Sequence, residues 1–139
     1  FPEGLKGVGK LFKDRYQLAR FGRGGFVKVA IRAGVPIIPV SVVGAEEIYP
    51  TIMRADILGK PLGSPMFPIT PFFPWLGLLG MVPLPSKWAI HFGKPIRTDK
   101  YKPREANNFL VVQKVGNQVR DEIQARVKKM VRKRGPAFA

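Results

Sequence analysis

The chain offers few groups that could act as a general base or nucleophile. Cysteine is absent and His91 is the only histidine among 139 residues, so thiolate chemistry, disulfides and sites built from several histidines are excluded. His91 sits in the alternating run Lys87-Trp88-Ala89-Ile90-His91-Phe92-Gly93, where an imidazole between aromatics reads as a packing or surface residue rather than a catalyst. Cations, by contrast, are abundant. Lys and Arg number 24 against 9 Asp and Glu, a formal net charge of +15. Such a surplus attracts polyanions: nucleic acid, anionic lipid headgroups or phosphorylated ligands. Residues 1–25 set it among glycines. Gly4-Leu5-Lys6-Gly7-Val8-Gly9-Lys10 lacks the Walker spacing, yet it combines free backbone N–H groups with cations, which is one way to hold a phosphate. An ordinary solvated basic loop accounts for the same residues equally well.

The elements that would position these groups are partly readable. A hydrophobic content of 45% excludes a disordered polyelectrolyte, and the length suits one domain. Phe1 follows no Met and opens no signal segment, so the chain reads as the middle of a longer one. Residues 11–21 suit a short strand or a single helical turn. Phe26, Val29, Ala30 and Ala33 recur at helical spacing before Gly34. A β-branched run, Val35 to Val43, then predicts a buried strand, giving half of an α/β repeat with a parallel sheet. Pro39 is awkward inside such a strand, because proline donates no ladder hydrogen bond.

Residues 61–86 contain no charged side chain. Prolines 61, 65, 68, 71, 74, 83 and 85 would interrupt a helix about every turn, so a spanning helix is not expected. The stretch reads instead as a long apolar loop with Phe67, Phe72, Phe73 and Trp75, and a short helix around Trp75–Met81. A second strand follows at 87–93. From Pro103, a proline suited to a first helical turn, Val112, Val115, Val119, Ile123, Val127 and Met130 mark one face of a helix. Its last turns carry Arg126, Lys128, Lys129, Arg132, Lys133 and Arg134 before Gly135-Pro136.

Several blocks together resemble one family. Phe1-Pro2-Glu3-Gly4, then Arg23-Gly24-Gly25-Phe26 with Ala30, then Val35-Pro36-Ile37-Ile38-Pro39-Val40, and finally Phe92-Gly93-Lys94-Pro95-Ile96 are similar in order and spacing to blocks of the glycerolipid acyltransferases, the lysophosphatidic acid acyltransferase-like superfamily. The resemblance covers roughly the first hundred residues; the C-terminal helix matches only in type. It implies acceptor binding by Glu3, Gly4 and Lys6, where Lys6 replaces the family's usual Arg, with Arg20 and Arg23 as further phosphate partners. It implies an acyl thioester of coenzyme A or acyl-carrier protein as co-substrate, a lysophospholipid acceptor, and no bound metal or cofactor. The family's catalytic His-x-x-x-x-Asp lies upstream of Phe-Pro-Glu-Gly. Ile96 stands five residues after His91, so His91 is not that histidine. The chain therefore contributes no catalytic residue and by itself is expected to transfer no acyl group.

The resulting expectation is an α/β fold: a partial sheet with flanking helices, a long apolar Pro-rich loop and a C-terminal amphipathic basic helix. The regions divide as 1–60 (acceptor binding and helix–strand core), 61–86 (membrane-proximal loop), 87–102 (strand and turn) and 103–139 (basic helix and tail). Aromatics with flanking cations suit attachment to an anionic membrane surface on the cytoplasmic face. A basic membrane-surface or nucleic-acid-binding module without catalysis is the alternative. No nucleic-acid reader motif is present, and no nucleic-acid partner is expected.

Overall fold

The computed structural model describes residue 3 and residues 10–54 and 68–138. The fold is small and mixed α/β. Its elements are helix α1 (Gly25–Ala33), strands β1 (Val40–Val43), β2 (Met53–Arg54), β3 (Pro68–Ile69) and β4 (Ala89–Phe92), and helix α2 (Phe109–Arg134). Short 3-10 turns stand at Phe12–Asp14, Ala45–Glu47, Gly77–Met81 and Pro103–Asn107.

Helix α1 forms where the apolar period suggests. Val27, Ala30 and Ile31 are its buried face. It ends as the glycine predicts: the Gly34 N–H donates to Ile31 O and the Val35 N–H to Ala30 O, a Schellman pattern. The buried Thr98 hydroxyl also donates to Ala30 O at 3.2 Å and Val35 O at 2.6 Å. Those orphan carbonyls are thereby satisfied inside the protein.

The expected strand over 35–43 is shorter and paired differently. Only Val40–Val43 joins a ladder, and it runs antiparallel to β4, with Val40 opposite Phe92 and Val42 opposite Ile90. No parallel pair occurs among the described residues; β2 and β3 form a second antiparallel pair. Pro39 precedes the ladder, and its carbonyl accepts from the Gly93 N–H at 2.7 Å. It stands just before the first residue of the ladder, so the bond that its missing N–H forgoes is at the end of the pairing, where proline is tolerated. Ser41 and Val43 face inward and β1 packs on α2, while Val40, Val42, Ile90 and Phe92 face outward and are exposed.

The expected helix from Pro103 is interrupted. Pro103–Asn107 is a 3-10 turn, and Asn108 restarts the chain as the N-cap of α2, its Oδ1 accepting from Leu110 N at 3.0 Å and Val111 N at 3.4 Å. Val112, Val115, Val119 and Val127 are buried along α2; Ile123 and Met130 are half-buried. The core joins Val27 and Ile31 of α1 to Ala106, Val112 and Val115. The short helix expected around Trp75–Met81 is the 3-10 turn Gly77–Met81. Residues 11–21 hold one 3-10 turn and otherwise irregular backbone. Replacing Asn108 by Ala should cost about 1 kcal/mol in urea unfolding, because two first-turn N–H groups lose their acceptor.

Candidate functional site: a basic cavity at the start of α1

Arg20, Phe21, Gly22, Arg23 and Gly24 form one wall of a surface cavity of about 50 Å³; Phe109, Val112, Gln113, Gly116 and Asn117 of α2 form the other. A single water needs roughly 10–15 Å³ of such space, so the cavity suits a group the size of a phosphate. Its polar lining residues are Arg20, Arg23, Gln113 and Asn117, and no acidic residue lines it. The cavity also borders the start of α1. Gly24 is the N-cap, at φ 68°, and no side chain caps the helix; its first turn holds no acidic residue. The positive end of the helix dipole thus lies beside a cavity lined by two arginines. Gly24 is required here by contact as well, since a Cβ would lie 2.4 Å from the Val112 Cγ1.

A second set of bonds fixes the approach to this wall. Arg120 donates from Nη2 to Leu18 O at 2.9 Å and from Nε to Ala19 O at 3.2 Å. Gln124 accepts from Leu18 N at 2.7 Å and donates to Tyr16 O at 2.8 Å. Two polar side chains of α2 thus read the backbone of residues 16–19 much as a neighbouring strand would. Glu3 joins them: its Oε1 accepts from Ala19 N at 2.8 Å and its Oε2 pairs with Lys10 Nζ at 3.1 Å.

Of the residues singled out in the sequence, Arg20 and Arg23 come together at the cavity, both exposed. Glu3 does not line it; its carboxylate accepts from the N–H of Ala19, the residue before Arg20. Gly4 and Lys6 lie outside the described residues. His91 is on β4, opposite Ser41. Sequence reasoning missed Gln113 and Asn117, whose place on α2 carries no local signal.

It also missed a buried polar cluster. Glu47 accepts from Arg134 Nη2 at 2.6 Å and from the Tyr16 hydroxyl, which itself accepts from Arg134 Nη2 at 2.8 Å. Next to it, Glu46 accepts from Tyr16 N at 2.6 Å and from Lys10 Nζ at 3.2 Å. Burial alone would push the Glu47 carboxyl up. The bonds from Arg134 and Tyr16 outweigh that and leave it below the usual carboxylate range. Burial and the adjacent Glu47 push the Tyr16 phenol up. In a chain with so few acids, adjacent Glu46 and Glu47 were a signal that partners existed, though not which. Among the described residues no group of three or more potential ligands could hold a metal ion, and no helix is long and apolar enough to cross a membrane.

Comparison with known proteins adds sequence relatives. No family model matches the chain, and no solved structure matches it. Uncharacterized proteins of Mycobacterium bovis and Mycobacterium tuberculosis are 53% identical to it over 124 residues, 89% of this chain and 35% of theirs. One from Mycobacterium leprae is 52% identical over 124 residues, 89% of this chain and 34% of its own length. The chain thus spans about a third of the length of the curated relatives it matches.

Proposed function

We propose that this chain is the acceptor-binding portion of a peripheral membrane acyltransferase of the glycerolipid type, acting on a lysophospholipid such as lysophosphatidic acid. The observation that carries the reading is the cavity in which Arg20 and Arg23 meet the uncapped start of α1. Two guanidinium forks and oriented backbone N–H groups are the donors a phosphate monoester requires. The ordered Phe-Pro-Glu-Gly, Arg-Gly-Gly-Phe and paired-proline blocks support the same assignment by resemblance.

In this reading Arg20 and Arg23 bind the acceptor phosphate, and Glu3 holds the backbone that presents Arg20. The acceptor hydroxyl then attacks the thioester carbonyl of acyl-coenzyme A or acyl-carrier protein. Its proton goes to a base outside this chain, in the His-x-x-x-x-Asp motif that the resemblance puts upstream; the C–S bond then breaks, and the thiol of coenzyme A or acyl-carrier protein leaves with that proton. The β1–β4 pair is part of a larger sheet in the longer protein, α2 is its basic amphipathic helix, and the apolar loop lies at the membrane on the cytoplasmic face.

The test compares a version extended through the upstream motif with its Arg20→Ala and Arg23→Ala variants, using a labelled acyl thioester. A charge-assisted hydrogen bond is worth about 1.5–3 kcal/mol, so kcat/KM for lysophosphatidic acid should fall tenfold or more in each. Transfer to monoacylglycerol, which lacks the phosphate, should change little. Parental kinetics with lysophosphatidic acid in both variants would reject the assignment.

A further inference from the structure

The segment between β3 and β4 places its apolar side chains where water should not favour them. Trp75 is 77% exposed, Leu78 84% and Leu79 74%, and Leu76, Met81 and Val82 are exposed beside them. So dense a run of large apolar residues, in a stretch free of charge, is well beyond the scattered exposure of an ordinary surface.

The backbone under these side chains is closed on itself. Thr70 N donates to Phe73 O, Leu76 N to Phe72 O, Gly77 N to Pro74 O, Leu79 N to Leu76 O and Val82 N to Leu79 O. The Thr70 hydroxyl oxygen accepts from Phe72 N and Phe73 N. Gly80 lies flat on this turn; a Cβ there would stand 2.5 Å from Phe72 O. Tyr49 anchors the base by donating to Met81 O at 2.9 Å. Most of the N–H groups of this turn are bonded within it, which lowers the cost of entering an apolar phase.

Cations stand at its trailing end. Arg134 donates to Lys87 O at 2.8 Å and Lys87 N to Ala137 O at 3.3 Å, which ties the exit of the segment to the end of α2. There Lys128, Lys129, Arg132 and Lys133 are exposed. We infer that residues 72–82 form a wedge, tipped by Trp75, Leu78 and Leu79, that enters the headgroup–acyl boundary of an anionic bilayer while the end of α2 engages the lipid phosphates. The inference rests on the membrane-associated reading above and adds the surface that does the attaching. Phe72 and Phe73, the most conspicuous aromatics of the sequence, lie nearer the base of the wedge than its tip.

The test is co-sedimentation of this chain with vesicles of phosphatidylcholine and phosphatidylglycerol in roughly a three-to-one ratio, at low and high salt. The parent chain should bind, and bind less as salt rises. Trp75→Ser/Leu78→Ser/Leu79→Ser, at sites already exposed and so neutral to folding, should weaken binding tenfold or more even at low salt. Replacing Lys128, Lys129, Arg132 and Lys133 by Gln should remove most of the salt dependence. In a Trp88→Phe background, Trp75 emission should shift to the blue on vesicles. Equal binding by the triple Ser variant would overturn the wedge. So would dimerisation in buffer that the same variant abolishes, since that would make a second copy the occupant. Vesicle binding contains no acyl-transfer step, so its failure leaves the acceptor assignment standing, and loss of that assignment leaves the wedge measurable.

Discussion

Arg134→Ala should destabilise the protein by about 3–5 kcal/mol in urea unfolding, a large share of the stability of a domain this size. Glu47 is 0% exposed, and Arg134 provides the opposing charge at 2.6 Å. Removing the guanidinium leaves a buried carboxylate whose remaining side-chain donor among the described residues is the Tyr16 hydroxyl. The intact pair is itself imperfect: Glu47 Oε2 and Arg134 Nε are buried without hydrogen-bond partners among the described residues. Desolvation therefore cancels much of the attraction, and the double variant Glu47→Leu/Arg134→Met should be far less damaged than the single one.

The same cluster sets a pH dependence. Because the folded state holds the Glu47 carboxyl below its ordinary value, its stabilisation is present above the usual carboxylate range and is lost as pH falls through the lower, folded value. The Tyr16 phenol is raised, so its contribution holds below about pH 10 and is lost as pH rises through the higher, folded value. Denaturant midpoints should accordingly decline at both extremes. In Tyr16→Phe the alkaline decline should shrink and the acid decline remain.

Gly44→Ala is the second substitution with a large expected effect, about 2–6 kcal/mol. Gly44 ends β1 at φ 116°, a conformation that costs an L side chain roughly 1–3 kcal/mol. A Cβ there would also meet Lys87 O at 2.5 Å and Trp88 Cα at 2.9 Å. Both are backbone atoms of the segment entering β4, so no rotamer change can relieve the overlap. Relief requires β4 to move off β1, adding a penalty of about 1–3 kcal/mol typical of overpacking. Unfolding at parental denaturant concentration would show that the two strands separate freely at this end.

Helix α1 and its stop were legible because period and glycine act within a few residues. Strand β1 was legible in type but not in partner: its direction against β4 depends on the path of the chain from Gly44 to Lys87, which no local pattern specifies. The break at Asn108 was hidden by Pro103, whose place at a helix start fits a 3-10 turn equally well. At the candidate site, Arg20 and Arg23 were named through family resemblance. Gln113 and Asn117 complete the cavity from some ninety residues later, and only folding brings them near. Glu3 was assigned to the acceptor, whereas the structure gives its carboxylate to Ala19 N and Lys10. The wedge was visible as an apolar stretch, but its tip depended on a turn that composition could not locate.

The bonds from Arg120 and Arg134 to residues 16–19 span 101 to 118 positions of sequence. During synthesis the early segment therefore leaves the ribosome long before the helix that holds it. At about 5–20 residues per second, the interval is roughly 5–20 s. Until then Tyr16 and its neighbours have no native anchor on α2, and the buried face of α1 awaits Val112 and Val115. Closure of so long a loop makes this docking a late event, and the apolar face of α1 stays uncovered until α2 has emerged.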